Sequence, residues 1–295
     1  SLREVHQPVL LEEAVEMLQV TPGGIYMDGT FGLGGHTKEI LKRSAPDGRV
    51  VAFDWDGEAI KLGLENVGEY RDRLQVLQRN FREIDQGLEE AGVSKVDGIL
   101  IDIGLSSLQL EAEGRGFSFN RDEPLDMRMD RRRPVTAAQI VADSTEEELA
   151  DIFYYYGDEK QARRIAAAIV KERKHQKIEM TGQLAQIVGR SIPKKYHPAK
   201  IHVATKVFQA LRIAVNEELA NLGEILKKAP VHLKPKGRLC IISFHSLEDR
   251  IVKRTLARTQ QLNVVTKKPI TPDDSEIKRN PRARSSRLRV AERAA

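Results

Sequence analysis

The sequence predicts an α/β protein: a mostly parallel sheet with a C-terminal antiparallel hairpin, interrupted by an inserted all-helical domain. Three observations predict it. Short apolar strands alternate with helical segments over the first hundred residues, that alternation stops near residue 111, and strand character returns only at Arg238–Ser243. Strand–helix alternation implies right-handed βαβ units and a parallel sheet.

The elements follow in order. Ile25–Asp28 is a short strand entering a glycine-rich turn, and a helix runs from His36 to about Arg43. Pro46, Asp47 and Gly48 make a turn before Arg49–Asp54, a β-branched run that reads as a buried strand. Ala59–Tyr70 is helical, Leu74–Gln78 a third strand, Phe81–Ala91 helical up to Gly92, and Gly98–Asp102 a fourth strand. Residues 111–135 are polar, rich in glycine and arginine, and show no period. Ser144 and Glu147 then fit a capping box, with Leu149, Ile152, Phe153 and Tyr156 on one face before Gly157. Further helices are expected over 161–173 and 182–189, and one long helix over 204–228, halted before Pro230. The pattern places an insertion at 111–212 within a domain formed by 1–110 and 213–295. After Arg238–Ser243 come a helix over 247–259 and two strands, Asn263–Thr266 and Ser285–Ala291. In the last, Leu288 and Val290 alternate with Arg287 and Arg289, a period of two that predicts arginines facing solvent.

Composition narrows the function classes. The chain has 295 residues, 40% hydrophobic, enough to bury a full core. Its single cysteine, Cys240, lies in an apolar run and reads as a buried thiol, so no internal disulfide forms. The histidines show no metal-ligand spacing with cysteine, so no metal site is expected. No apolar run is long enough to span a membrane, and the first twenty residues carry four acidic side chains and no leader-like segment. A cytoplasmic protein is expected. The net charge of +5 is concentrated: residues 278–293 hold seven basic side chains against one acidic. A basic patch of this kind suits a polyanionic partner, although a solvated tail has the same composition.

The glycine-rich turn runs from Asp28 through Gly29, Gly32, Gly34 and Gly35 to His36, between a strand and a helix. That is where backbone closely approaches a nucleotide. Asp54 ends the next strand, placed to receive ribose hydroxyls. The glycines do not fit G-x-G-x-x-G, and no phosphate-binding G-x-x-x-x-G-K-[ST] occurs. Asp28 adds a negative charge that suits a cationic sulfonium better than a pyrophosphate. S-adenosyl-L-methionine is therefore favoured over a dinucleotide and its oxidoreductase chemistry. Asp102 ends the fourth strand, placed either near cofactor and substrate or as the cap of the next turn. His245 and Asp249, with Ser243 and Ser246, carry hydrolase-like chemistry, but no G-x-S-x-G elbow exists. That segment reads as a wall near the substrate, or as a helix start capped by Ser246.

Long motifs carry a resemblance. They are HQPVLL from His6, DGTFGLGGHT from Asp28, GILIDIGLSS from Gly98, RGFSF from Arg115 and PLDMRMD from Pro124. FQALRIAVNEEL from Phe208, ISFHSLEDRIVKR from Ile242 and NPRARSSRLRVAER from Asn280 complete the series. Over nearly its whole length the chain resembles the ribosomal RNA small subunit methyltransferase H (MraW) family. The resemblance implies a Rossmann-like class I methyltransferase sheet with a helical substrate-recognition insertion. It implies methyl transfer from S-adenosyl-L-methionine to the exocyclic N4 of a decoding-centre cytidine in 16S ribosomal RNA, within the small ribosomal subunit. It also implies cofactor contacts at Gly34, Gly35, His36, Asp54, Phe81, Asp102 and Gln109. A cytosine amine is a poor nucleophile that needs a hydrogen-bond acceptor as it pyramidalises, and Asp102, at the end of the fourth strand, is the catalytic candidate for orienting it. The chain departs from the family pattern at Trp55, next to the ribose carboxylate, and at Leu108. RNA contacts are expected from Arg282, Arg284, Arg287 and Arg289, from Arg131–Arg133, and from Lys194, Lys195 and Lys200. Of Tyr154, Tyr155 and Tyr156, at least one must face the helical core. Two other readings stay open: a methyltransferase for DNA or a ribosomal protein, and a ribosome-assembly factor that binds the cofactor without catalysis.

Overall fold

The structure, a computed structural model, describes residues 7–295. His6 and the side chain of Leu108 lie outside the described residues. The chain divides into two compact units, Ser1–Ser106 with Leu219–Ala295, and Ser107–Glu218.

The first unit is built on seven strands: β1 (Ile25–Asp28), β2 (Arg49–Phe53), β3 (Leu74–Leu77), β4 (Val96–Asp102), β5 (Leu233–Ser243), β6 (Leu262–Val264) and β7 (Arg287–Arg293). Their order in the sheet is β3-β2-β1-β4-β5-β7-β6. The first five are parallel, and β7 runs antiparallel to both β5 and β6. Because strand side chains alternate, each strand feeds two cores. Tyr26, Val50, Leu100, Cys240 and Val290 face one way. There they meet α1 (Leu11–Leu18), α2 (Gly35–Arg43) and α3 (Gly57–Val67) through Val15, Leu18, Ile40, Leu41 and Val67. Met27, Phe53, Ile99, Ile101 and Ile241 face the other way. They pack on α4 (Ile84–Glu90), α11 (Glu218–Lys228) and α12 (Ser246–Arg258) through Ile84, Leu88, Ile225, Leu226, Val252 and Leu256. Burying one such aliphatic side chain contributes about 1.5–3 kcal/mol. Burial pushes the Cys240 thiol up to about 12, so it stays protonated and unreactive.

The second unit is helical: α5 (Ser107–Glu111), α6 (Ala137–Asp143), α7 (Glu146–Asp151), α8 (Ala162–Arg173), α9 (Thr181–Ser191) and α10 (Thr205–Val215). A π-helical turn over Ile152–Tyr156 follows α7. Here α7 packs on α8, α8 on α9, and α10 on the π turn. Phe153 is the buried member of its aromatic run, while Tyr154 and Tyr155 are exposed and touch edge to face. The aperiodic stretch after α5 is held by polar bonds instead of a helix ladder. Arg115 donates to the Arg128 and Met129 carbonyls, and Glu123 accepts from the N–H groups of Gly114 and Gly116.

Four expectations change, and one element is added. The α7 cap is Thr145, because Ser144 is spent closing α6. The long helix over 204–228 is two helices, broken where Glu217 takes a left-handed φ of 49°. Asn216 makes the break: its amide donates to the Met127 carbonyl and accepts from the Met129 N–H. Strand β5 starts at Leu233, earlier than the expected Arg238, since a register shift between Val96 and Gly98 takes up the intervening residues. The helix after β5 is capped by His245, not Ser246. Helix α1 is the added element: it starts without a capping side chain, although Leu11, Ala14, Val15 and Leu18 recur at helical spacing.

Candidate active site

Parallel strands end on one side of the sheet, and that side gathers the chemistry. After β1 the chain turns through Gly29–Gly34. The turn is tied to its neighbours by the Gly29 N–H to the Leu100 carbonyl and the Phe31 N–H to the Phe53 carbonyl, both 2.9 Å. Gly32 and Gly34 have φ of 53° and 80°, a region that favours glycine. The two differ in what faces them. A Cβ on Gly34 meets Val67 at 2.9 Å and the Gly63 carbonyl at 3.0 Å, and one on Gly35 meets Pro8 at 2.2 Å. These glycines let α3 and the 7–10 segment pack against the turn. A Cβ on Gly32 meets nothing closer than 3.9 Å, so Gly32 is the glycine with open space before it.

Three aspartates surround this turn. Asp28 is almost fully buried and accepts from the Thr30 N–H at 3.0 Å and the Thr37 hydroxyl at 2.6 Å. Burial pushes its carboxyl above the usual range, against those bonds. With both oxygens engaged, Asp28 shapes the turn and supplies field. Asp54, just past β2, accepts from the Gly32 N–H at 2.8 Å and the Asp56 N–H at 2.9 Å. It keeps some surface, yet protein crowds it enough that burial pushes its carboxyl up to about 7. Asp102 ends β4, its own N–H donating to the Thr30 hydroxyl at 2.7 Å and one oxygen accepting from the Gly104 N–H at 3.2 Å. Burial raises it too, opposed by the electrostatic effect of the neighbouring His36 and Arg282 side chains. Carboxylates raised by desolvation gain most when a cation or hydroxyl donors replace the lost water. This cradle therefore fits a ligand with a positive centre and a diol.

The structure brings Gly34, Gly35, His36, Asp54, Phe81 and Asp102 to this one end of the sheet. The His36 ring is spent on the Val9 carbonyl, 2.9 Å away. What residues 34–36 offer a ligand is the start of α2, whose first-turn N–H groups lack intrahelical acceptors. Phe81 is half-buried after β3, with its Cβ 3.2 Å from where Gly29 would carry one. Gln109 lies buried on α5, in the second unit. Trp55 is half-buried, and its carbonyl accepts from the Gln78 amide at 3.4 Å. Sequence reasoning missed Thr30 and Thr37, whose hydroxyls brace Asp102 and Asp28. Both lie within the DGTFGLGGHT motif, where hydroxyl spacing alone gives no signal.

The arginines divide. Arg284 is exposed. Arg282 donates to the carbonyls of Leu105 and Gln7. Arg287 reaches Asp249 at 3.3 Å. Arg289 corrects the expectation that β7 shows its arginines to solvent: it is buried and makes a two-pronged pair with Asp249 at 2.7 and 3.1 Å. The apolar period of two is real, but helix α12 packs on the second face of β7, so that face is covered as well. Arg132 and Arg133 pair with Asp130 and Glu217. His245 and Glu248 form a reciprocal cap at the start of α12.

A sheet of this order, with an antiparallel strand between β5 and β6 and acidic residues closing its first strands, defines a class I methyltransferase that uses S-adenosyl-L-methionine. The chain belongs to the MraW methylase family, whose sequence model matches residues 3–294. It is 61% identical over 290 residues to the ribosomal RNA small subunit methyltransferase H of Desulfotalea psychrophila, covering 98% of each chain. The protein of that name from a Cyanothece species is 49% identical, with 98% of this chain and 95% of that one covered. That from Symbiobacterium thermophilum is 44% identical, with 97% and 95% covered. Among solved structures, Aeropyrum pernix fibrillarin with S-adenosyl-L-methionine bound is 10% identical, with 95% of this chain and 73% of that one covered, at a TM-score of 0.42. That likeness is too loose to carry weight. Among the described residues no helix is long and apolar enough to cross a membrane.

Proposed function

We propose that this protein methylates the exocyclic N4 of a decoding-centre cytidine in 16S ribosomal RNA, within the small subunit. The observation that carries the reading is the pairing of full-length likeness to small-subunit rRNA methyltransferases with the acidic cradle at Asp54 and Asp102. In this reading the second unit recognises the RNA, and Arg284 with Lys194, Lys195 and Lys200 meets phosphates.

S-adenosyl-L-methionine, when bound, supplies an electrophilic methyl group on a sulfonium. Asp54 would hold the ribose hydroxyls, and the start of α2 with Phe81 would line the remainder of the cofactor. A cytosine amine is a poor nucleophile, because its lone pair is delocalised into the ring. The task of Asp102 is to accept hydrogen bonds from that amine as it pyramidalises, fixing its line of approach. Burial holds the Asp102 carboxyl above the ordinary range, so it accepts the departing amine proton more readily than an exposed aspartate. The base must leave its stack to reach this position.

The test is methyl transfer from radiolabelled cofactor to 16S RNA, 30S subunits and total DNA. Label recovered as N4-methylcytidine from RNA or subunits, and reduced about 100-fold or more in Asp102→Ala, is the expected result. Label confined to DNA or protein overturns the substrate. Cofactor binding without transfer anywhere favours the assembly-factor reading. A second expectation concerns Trp55, which in this proposal packs on the adenine edge. Trp55→Ala should weaken cofactor affinity about 3–10-fold by calorimetry. An unchanged affinity places Trp55 in local packing only.

A further inference from the structure

Outside the acidic cradle, the second unit carries a cleft of about 390 Å³ between α9 and the segment over 197–203. Its volume lies in the range of small-ligand sites. Gln186 and Gly189 of α9 form one wall, and His197, Ile201 and His202 the other. A Cβ on Gly189 meets only Val203, at 4.0 Å, so the helix presents a flat floor there.

Both imidazoles are fixed by the backbone. His197 donates from Nε2 to the Ile192 carbonyl at 2.8 Å, and His202 accepts at Nδ1 from the Ala204 N–H at 3.0 Å. Phe119 packs on the His202 ring with centroids 4.6 Å apart. Ile201, at the mouth, is an apolar side chain left 44% exposed. Rigid flat rings, an apolar wall and the Gln186 amide, which can both donate and accept, match a heterocyclic base.

The charge around the cleft points the same way. Residues 180–216 contain six lysines or arginines and no aspartate or glutamate, in a protein with 43 acidic residues. Arg190, Lys194, Lys195 and Lys200 of this run are all exposed. Lys195 lies over the exposed Tyr196 ring, 4.9 Å from its centroid. Arg212 is spent on Glu218, and Asp122 accepts from the Gly182 N–H at the start of α9. The exposed Arg190, Lys194, Lys195 and Lys200 leave the net positive field that attracts a phosphodiester chain.

We propose that this cleft is a second nucleotide site, distinct from the methyl-transfer centre. It takes one unpaired base of the substrate RNA, while Lys194, Lys195 and Lys200 hold the flanking phosphates. The proposal rests on the RNA reading above, and it adds a means of setting which strand segment is presented, through residues that touch neither cofactor nor target amine.

The experiment uses the full-length protein and fluorescently labelled 16S rRNA, with affinity followed from about 50 to 200 mM salt. Gly189→Leu fills the cleft without touching a charge. It should weaken RNA binding about tenfold with an unchanged salt slope, the size of one lost stacking contact. Lys194→Ala/Lys195→Ala should instead flatten the slope by about 1.4, the value for two single-strand phosphates. Both variants should keep the rise in melting temperature that the cofactor gives the parent. Should Gly189→Leu melt abnormally, Ile201→Glu reports in its place, since a surface carboxylate at the mouth must also weaken RNA about tenfold. RNA methylated by the parent and bound normally by these variants overturns the cleft and leaves the proposed function standing. A parent that neither binds nor methylates RNA overturns both.

Discussion

Asp54→Asn is expected to remove measurable cofactor binding while changing how the free protein responds to pH. The carboxyl is pushed up to about 7 by burial, so the free protein holds a proton there that the unfolded chain releases near 3.9. A raised acid contributes stability that is fully present below the unfolded value and is lost as pH rises towards the folded one. The parent should therefore lose stability relative to Asp54→Asn between about pH 4 and 7, by up to ~4 kcal/mol, less whatever solvent screening its partial exposure allows. Cofactor affinity of the parent should move the opposite way, rising towards pH 7 and then levelling, because the ribose and sulfonium favour the ionised form. Urea melts and calorimetric titrations across that window measure both. A parallel pH response in the two proteins would falsify the placement of the proton on Asp54.

The second large effect belongs to Asp249→Ala. Asp249, in the first turn of α12, and Arg289, on β7, are both about nine-tenths buried and bonded through two prongs. Burial raises the Asp249 carboxyl, but the Arg289 guanidinium more than reverses that and holds it below the ordinary range. Removing the acid strands a buried cation inside the sheet, at a cost of about 3–5 kcal/mol. Replacing both partners by apolar residues, as in Asp249→Leu/Arg289→Met, should recover most of it. Arg284→Ala provides the contrast: it should leave the urea midpoint in place and affect only RNA affinity. Equal midpoints for Asp249→Ala and the parent would show that Arg289 finds water or another acceptor.

The contrast between Arg284 and Arg289 shows where sequence reasoning stops. Alternation along Arg287–Val290 correctly predicts a strand, but whether its polar face meets water depends on how α12 packs against it, and no local pattern reveals that packing. The doubly wound core was readable because β-branched runs and glycine turns act locally, and the turn over Gly29–Gly34 was readable because its glycines sit between a strand and a helix. The break at Asn216 was not, since its amide is recruited by the backbone of Met127 and Met129, nearly ninety residues away. Helix α1 offered a local signal in the spacing of Leu11, Ala14, Val15 and Leu18, but no capping side chain marks its start. The roles of Thr30 and Thr37 emerge only once β1 and β4 lie side by side.

The interruption of the sheet between β4 and β5 also imposes a timetable on synthesis. Strands β1 to β4 and all three cradle aspartates leave the ribosome before residues 107–218, and β5 and β7 only after them. At about 5–20 residues per second, the intervening unit keeps β4 without its C-terminal neighbours for roughly ten seconds. During that interval the nascent chain exposes a bare parallel edge of mainly apolar residues, a segment suited to chaperone capture. The helical unit, contiguous in sequence, needs no such wait. Disruption of β7 should accordingly register first as a loss of soluble yield from cells, before any change in the cofactor chemistry of the molecules that do mature.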